Sequence, residues 1–347
     1  MKTLVTGVVA VLLVGALAGC TPAAATTPPT TPPTTLAAEP RPTPTSAPAP
    51  AVAVPTAPLA AFGGDCSVVA TEEEVSAATG GPVVASPYSG TYMPDWTVRG
   101  LGGIRCAWTA QSGDGVWVTV IPIATVGQDI VDHSGADQPY CYGGDFSAGY
   151  QDACSFSASV DGWWYAGVVY TAIDSGIAAT DAVDALVADF GTRSSAHAAS
   201  PPAATDGAWT ETPSCEVLDE RVRTDPLGVD LEAASGNSPG EAGPGFYGAM
   251  SAAGQETCFW ESGTETLAET GILPGGWWVV DSAATTPGAE SVTLPGATRA
   301  IRVPDADGTG GVMVYATDGA NLVTARGSLD ADQLGALAAG VLSGVTG

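Results

Sequence analysis

One pattern of cysteine and tryptophan occurs twice in this chain and limits its fold more than any other feature. Each copy has a single cysteine, followed at nearly the same distance along the chain by a Cys-x-Trp segment. The two copies are Cys66 with Cys106-Ala107-Trp108, and Cys215 with Cys258-Phe259-Trp260. Both copies continue to an Asp-Gly pair between apolar runs and then to a helix with one apolar stripe. The repeat predicts two domains of one fold in tandem.

Local signals predict that each domain is α+β, with an antiparallel sheet, a short N-terminal helix and a packed C-terminal helix. In the first copy, Thr71 and Glu74 form a capping box, and Gly80 ends the helix. The predicted strands are residues 104–108, 116–121, 155–160 and 163–171 in the first copy, and 258–260, 277–280, 312–317 and 321–325 in the second. The predicted closing helices run from residue 180 and from about residue 329 to 342. We therefore expect a helix on one face of each sheet.

Composition places the boundaries of these domains. Residues 62–192 form the first predicted domain and residues 209–347 the second. Residues 193–208 lie between them, are rich in Ser, Ala and Pro and lack apolar periodicity, which predicts a linker.

The repeat also predicts the disulfides. The second domain holds only Cys215 and Cys258, so independent folding requires them to pair. The same pairing in the first domain joins Cys66 to Cys106 and leaves Cys141 for Cys154. The chain has seven cysteines, and the six that follow Cys20 form an even set, which in an extracytoplasmic chain favours such bridges.

The N-terminus indicates how the chain is held. Lys2 precedes an apolar run at residues 4–17, which ends in Leu17-Ala18-Gly19-Cys20. This is a secretory signal with a cysteine at the cleavage position, and it resembles the lipobox of bacterial lipoproteins. An uncleaved membrane helix is the alternative, but the run is shorter than the roughly 20 residues that span a bilayer. We expect residues 1–19 to be a signal peptide and Cys20 to be lipidated, with the membrane as partner and the protein on its extracytoplasmic face.

The next segment is a tether. Residues 20–61 are dominated by Pro, Thr and Ala and carry almost no charge or aromatic side chain, so they cannot form a core. Proline favours an extended path of about 3.1 Å per residue.

Charge excludes one class of partner. The chain has 10 Lys and Arg residues against 37 Asp and Glu residues, for a net charge of −27. Nucleic acid needs a positive surface that replaces its counterions, so we expect no nucleic-acid binding.

The whole pattern resembles a family. A lipobox, a Pro/Thr tether and domains with a cysteine and a later Cys-x-Trp strand look like actinobacterial cell-envelope lipoproteins of unknown function. These are similar in pattern to the extracellular sensor domains of mycobacterial-type receptor kinases. The resemblance rests on Cys66, Cys106, Trp108, Cys215, Cys258 and Trp260. It implies disulfide-linked α+β domains without an established enzymatic activity.

Motifs for catalysis and metal binding are weak. Residues 236–240, Gly-Asn-Ser-Pro-Gly, match the G-x-S-x-G elbow, but Pro239 has no N–H for an oxyanion. Residues 305–308, Asp-Ala-Asp-Gly, begin like a calcium loop but lack the later ligands. A surface loop and a turn are the simpler interpretations. We predict no catalytic residue, no metal site and no cofactor.

Two tryptophan pairs are the candidate binding residues: Trp163-Trp164 and Trp277-Trp278. Neighbouring side chains on a strand point to opposite faces, so one ring of each pair can fill the core while the other lines a cleft. We predict a stacking platform for an envelope glycan or apolar ligand, extended by Trp96, Tyr140 and Tyr142; core packing is the alternative. The predicted function is non-catalytic binding or sensing of an envelope glycan, lipid or protein. An envelope hydrolase with an unrecognised site and a structural spacer are the alternatives.

Overall fold

The structure is a computed structural model. It describes residues 56–86, 93–111, 115–136, 138–143, 150–222, 224, 227–236, 244–305 and 311–346. These residues belong to one compact unit. The predicted signal peptide, Cys20 and most of the tether lie outside the described residues, as do residues 237–240 and 306–308 of the two weak motifs.

The first sheet has six strands in the order β1-β2-β3-β6-β5-β4 among the described residues. Its strands are β1 (Val83–Ser86), β2 (Ile104–Ala110), β3 (Gly115–Pro122), β4 (Tyr140–Gly143), β5 (Tyr150–Val160) and β6 (Trp163–Ala172). All neighbours are antiparallel. The predicted Asp-Gly hairpin joins β5 to β6, where Asp161 has φ 50° and Gly162 has φ 83°. Positive φ at both residues is the two-residue turn that suits strand twist.

The second sheet is also antiparallel and repeats this order. Its described strands are β7 (Glu232–Ser235), β8 (Glu256–Ser262), β9 (Glu265–Leu273), β10 (Glu290–Val292), β11 (Arg299–Pro304), β12 (Val312–Thr317) and β13 (Leu322–Gly327). From one edge they run β7-β8-β9-β13-β12-β11-β10, which is the order of the first sheet with β10 added. The α+β class with two antiparallel sheets is therefore confirmed.

Helices cover both faces of each sheet. The described helices are α1 (Glu72–Thr79), α2 (Met93–Gly100), α3 (Ile123–Val126), α4 (Gln128–Gly135), α5 (Ala179–Ser194), α6 (Cys215–Arg221), α7 (Pro244–Ala253), α8 (Val279–Ala283) and α9 (Ala331–Thr346). Helices α1 and α5 pack on the outer face of the first sheet, and α6 and α9 on the outer face of the second. The capping box of α1 is present, and Gly80 ends that helix with φ 77°.

The repeated cysteines and tryptophans lie in the outer cores. Cys106 and Trp108 are two residues apart on β2, so both side chains point to the outer face, and Cys258 and Trp260 do the same on β8. Disulfides join Cys66 to Cys106, Cys141 to Cys154 and Cys215 to Cys258. The three predicted pairs are confirmed.

The inner faces hold the two repeats together, because each repeat places a helix against the other repeat's sheet. Helix α7 of the second repeat packs on β3, β5 and β6 of the first sheet. Helix α2 of the first repeat reaches the second sheet, where Trp96 lies edge-on to Tyr315 with ring centroids 5.5 Å apart. The buried Thr97 hydroxyl of α2 donates to Oε1 of the buried Gln255.

Three local expectations are wrong or incomplete. Residues 277–280 do not form a strand: they turn into α8, because Pro274, Gly275 and Gly276 end β9 and redirect the chain onto the inner face. Helices α2 and α7 lie in segments that we did not predict to be helical. The segment after α5 has no regular structure, yet it is packed, since Trp163 Nε1 donates to the carbonyl of His197 at 3.0 Å.

Candidate ligand site at the junction of the two repeats

The first predicted tryptophan pair is almost completely buried. Trp163 is 3% exposed and packs on Phe62, with ring centroids 4.8 Å apart, and Trp164 is fully buried against α7. The alternation along β6 places the two rings on opposite faces as expected, but both faces of this sheet are covered by other elements. Trp163 nevertheless lines a second cavity, of about 580 Å³, together with Phe62 and His197. One ring of this pair therefore lies beside a cleft, as expected, while Trp164 fills the core on the opposite face.

The second pair behaves differently, because it does not lie on a strand. Trp277 is partly buried, and Trp278 is 3% exposed at the start of α8. Trp278 nevertheless forms part of the wall of a cavity, together with the buried Trp96 of α2. The structure thus brings Trp96 and Trp278 together from different repeats, while Trp163 and Trp164 lie elsewhere.

Tyr140 and Tyr142 are exposed on the edge strand β4. Their ring centroids are 6.3 Å apart, and the Tyr142 hydroxyl lies 3.5 Å from that of Tyr170. They form an aromatic surface on the first repeat that is separate from the cavity.

The cavity has a volume of about 510 Å³ and lies where α2, α8 and the β1–β2 edge of the first sheet meet. Its lining residues are Ala60, Gly64, Asp65, Cys66, Ser67, Ala85, Ser86, Asp95, Trp96, Arg99, Gly103, Ile104, Arg105, Trp278 and Ser282. Ligand pockets commonly measure about 300–1,000 Å³ and combine aromatic walls with a few polar groups. The junction cavity, as we call it, has this size and composition.

Arg99 is held rigidly in its wall. The guanidinium carbon lies 4.6 Å from the centroid of the Trp278 ring, which fixes the plane of the fork by a cation–π contact. Its Nε donates to the carbonyl of Pro58 at 2.9 Å. Burial lowers the pKa of the Arg99 guanidinium, because removal from water disfavours the charged form.

The second cavity arginine has a partner. Arg105 Nη1 lies 3.0 Å from Asp95 Oδ1, and both side chains are largely buried. This pair joins β2 to α2 and balances one positive charge of the wall with one negative charge. Arg99 is therefore the cationic group of the cavity wall, and no carboxylate among the described residues neutralises its charge.

The rim of the cavity is polar. Asp65, Ser67 and Ser282 are exposed, and the Asp65 carboxylate accepts from the Ser67 backbone N–H at 2.8 Å. Hydrogen bonds from the Ser67 side chain and from its backbone N–H lower the pKa of Asp65. The end of the tether also borders the cavity, through Ala60 and the Pro58 carbonyl that Arg99 binds.

The remaining clusters serve structure. Cys215, Cys258 and Glu256 lie together, but the two sulfurs are joined in a disulfide, so they cannot act as thiolate ligands. In the described part of the chain, no helix is both long and apolar enough to cross a membrane.

Sequence reasoning missed Arg99 because it missed α2. The signals were present: Pro94 and Asp95 suit a first helical turn, Arg99 suits a last turn, and Gly102 follows. The helix is only two turns long and borders residues 87–92, whose Ser, Gly and Pro content favours a loop. No sequence signal places α2 against the other repeat.

Comparison with protein-family models, curated proteins and solved structures finds no match to this chain. The resemblance to actinobacterial envelope lipoproteins therefore stays a prediction, and the junction cavity is the feature that bears on function.

Proposed function

We propose that this protein is a lipid-anchored extracytoplasmic binding protein whose ligand occupies the junction cavity. The observation that carries the proposal is the cavity itself, in which Trp96, Trp278 and Arg99 converge from two repeats. Buried aromatic walls supply most of the contact area for a small ligand, and a fixed polar group supplies orientation.

Binding in this cavity connects the two repeats. Trp96 and Arg99 belong to α2 of the first repeat, and Trp278 and Ser282 to the second. A ligand that contacts both walls stabilises their association, by mass action on the folded state. Ligand binding is also linked to the end of the tether, because Arg99 donates a hydrogen bond to the Pro58 carbonyl.

The anchor is the second part of the proposal. Cys20 carries the lipid, residues 20–61 act as spacer, and the ligand is a component of the cell envelope. Replacing Cys20 with alanine is expected to release a folded protein with its three disulfides intact. Membrane fractionation of the C20A variant tests this, and retention in the membrane would contradict the lipid anchor.

Native mass spectrometry of the full chain, solubilised from its own host, tests the binding function. We expect a co-purified mass that is released on unfolding. Ser282→Phe places a ring at an exposed position on the cavity rim, and we expect it to remove that mass.

The matched control is Ser251→Phe, at an exposed serine on α7 that does not line the cavity. This variant should keep the bound mass. A ligand that survives Ser282→Phe, or the absence of any ligand in the wild-type protein, would argue against the junction cavity.

A further inference from the structure

The hydrogen-bond partners of the arginines indicate the chemical class of the ligand. The chain is strongly acidic, and five of its seven described arginines pair with a carboxylate. Arg221 donates instead to the carbonyl of Gly344 in the last turn of α9, where the helix dipole favours a cation. Among the described residues Arg99 pairs with no carboxylate, and only its Nε is hydrogen-bonded, to the Pro58 carbonyl.

The contacts of Arg99 leave its recognition groups unused. Nε is engaged by the Pro58 carbonyl, and one face of the guanidinium lies on Trp278. In the described residues, neither Nη1 nor Nη2 has a hydrogen-bond partner. These two nitrogens form the fork that binds a carboxylate or phosphate with two parallel hydrogen bonds.

We propose that the ligand of the junction cavity carries an anionic group, either a carboxylate or a phosphate, which binds to the Nη atoms of Arg99. A flat apolar portion of the same ligand packs against Trp96 and Trp278. This inference rests on the proposed function and names the class of its ligand. The Asp95–Arg105 pair is neutral as a unit, and Asp65 lies at the exposed rim, so neither carboxylate occupies the Arg99 fork.

A set of matched probes tests the ligand class by calorimetric titration of the full chain. Naphthoate and naphthyl phosphate share a flat ring and differ in the anion, naphthalenemethanol is the neutral counterpart, and inorganic phosphate lacks the ring. We expect both anionic naphthalenes to bind at least about tenfold more tightly than the alcohol, because charge-assisted hydrogen bonds add to ring burial. The stronger of the two identifies the anion.

Arg99→Gln should reduce the affinity of both anionic naphthalenes to that of the alcohol. Arg221→Gln, which removes another carbonyl-bound arginine away from the cavity, should leave all affinities unchanged. Arg99→Lys keeps the charge but not the planar fork, so we expect an intermediate loss. It is also the variant to use if Arg99→Gln does not fold, as judged by its thermal unfolding.

The outcomes separate the ligand class from the binding function. If the alcohol binds as tightly as the anions and Arg99→Gln changes nothing, the anionic class is wrong and the cavity still binds a ligand. If neither anionic naphthalene binds at millimolar concentration, the class is also wrong. If in addition the host-purified protein carries no ligand that Ser282→Phe removes, the proposed function fails with it.

Discussion

Helices α2 and α7 occupy equivalent places in the two repeats but meet the opposite sheets in different ways. When the repeats are aligned on Cys106 and Cys258, Gly248 stands opposite Trp96 and Ser251 opposite Arg99. The small residues of α7 allow a close approach, and a Cβ on Gly245 would lie 2.7 Å from that of Ala166. Helix α2 instead meets the second sheet through the larger side chains Met93 and Trp96, and the junction cavity lies beside it. The repeats thus share one fold, but among the described residues the junction cavity lies beside α2 and has no lining residue from α7.

The largest effects are expected from the disulfides, where the repeats should agree. The Cys66→Ala/Cys106→Ala and Cys215→Ala/Cys258→Ala variants open loops of 40 and 43 residues. Each should lower the free energy of unfolding by about 4 kcal/mol in the chain-entropy model, as measured by urea denaturation. Loss of Cys141–Cys154, which closes 13 residues, should cost less, about 3 kcal/mol. A large difference between the two repeat disulfides would mean that the repeats are not equivalent in stability.

Alanine substitutions at the interface glycines should reveal a difference between the packing of α7 and that of α2. Gly248→Ala on α7 would place a Cβ against the buried Trp164 ring, so we expect a loss of about 2 kcal/mol despite the better helix propensity of alanine. Gly271→Ala on β9 would meet the terminal methyl of Met93 from α2, which can move, and the hydroxyl of the neighbouring Thr324, which can rotate. We therefore expect a smaller loss, of about 1 kcal/mol. Urea denaturation of both variants measures the difference. Equal losses would contradict the closer packing of α7.

The two Cys-x-Trp tryptophans should differ modestly. Trp260 Nε1 donates to the buried Thr270 hydroxyl at 2.8 Å, whereas Trp108 Nε1 has no partner in the described residues. Trp260→Phe should therefore cost about 1 kcal/mol more than Trp108→Phe, since it leaves a buried hydroxyl without its donor. Chemical denaturation of both variants measures this difference, and an equal cost would show that the hydrogen bond adds no net stability.

The smallest effect is expected from the arginine that joins the two outer helices in each repeat. Arg193 on α5 bonds Glu74 at the start of α1 and lowers the pKa of that carboxyl below its usual 4.5, whereas Arg221 on α6 bonds a carbonyl of α9. A lowered pKa gives stability that is present above about 4.5 and is lost as the pH falls through the folded-state value. The pair is partly exposed, so this contribution is about 1 kcal/mol or less.

Stability measured against pH for Arg193→Gln and Arg221→Gln tests that difference. The acid-dependent loss should be smaller in Arg193→Gln than in the wild type, and unchanged in Arg221→Gln. The same pH dependence in all three proteins would show that the Glu74 pair contributes nothing.

The sequence allowed prediction of what depends on local pattern. The capping box at Thr71, the turn at Asp161-Gly162 and the Cys-x-Trp strands follow from side-chain chemistry and period, and the repeat then determined the disulfide pairs. The site could not be predicted in this way. Arg99 acquires its contacts from Trp278 of the other repeat and from Pro58 of the tether, and only the packing of the two sheets places these residues together.

The tryptophan pairs illustrate the same limit. Alternation along β6 correctly separates Trp163 from Trp164, but it does not reveal that α7 covers the inner face. Trp278 lies in the candidate site for a different reason, because the chain turns into α8 and brings its ring under Arg99.

A crystal structure of the protein purified from its own host tests the central claim most directly. We predict a bound molecule in the junction cavity, with an anionic group on the Nη atoms of Arg99 and its remainder against Trp96 and Trp278. A ligand bound instead on the aromatic surface of Tyr140 and Tyr142, with only water around Arg99, would contradict it.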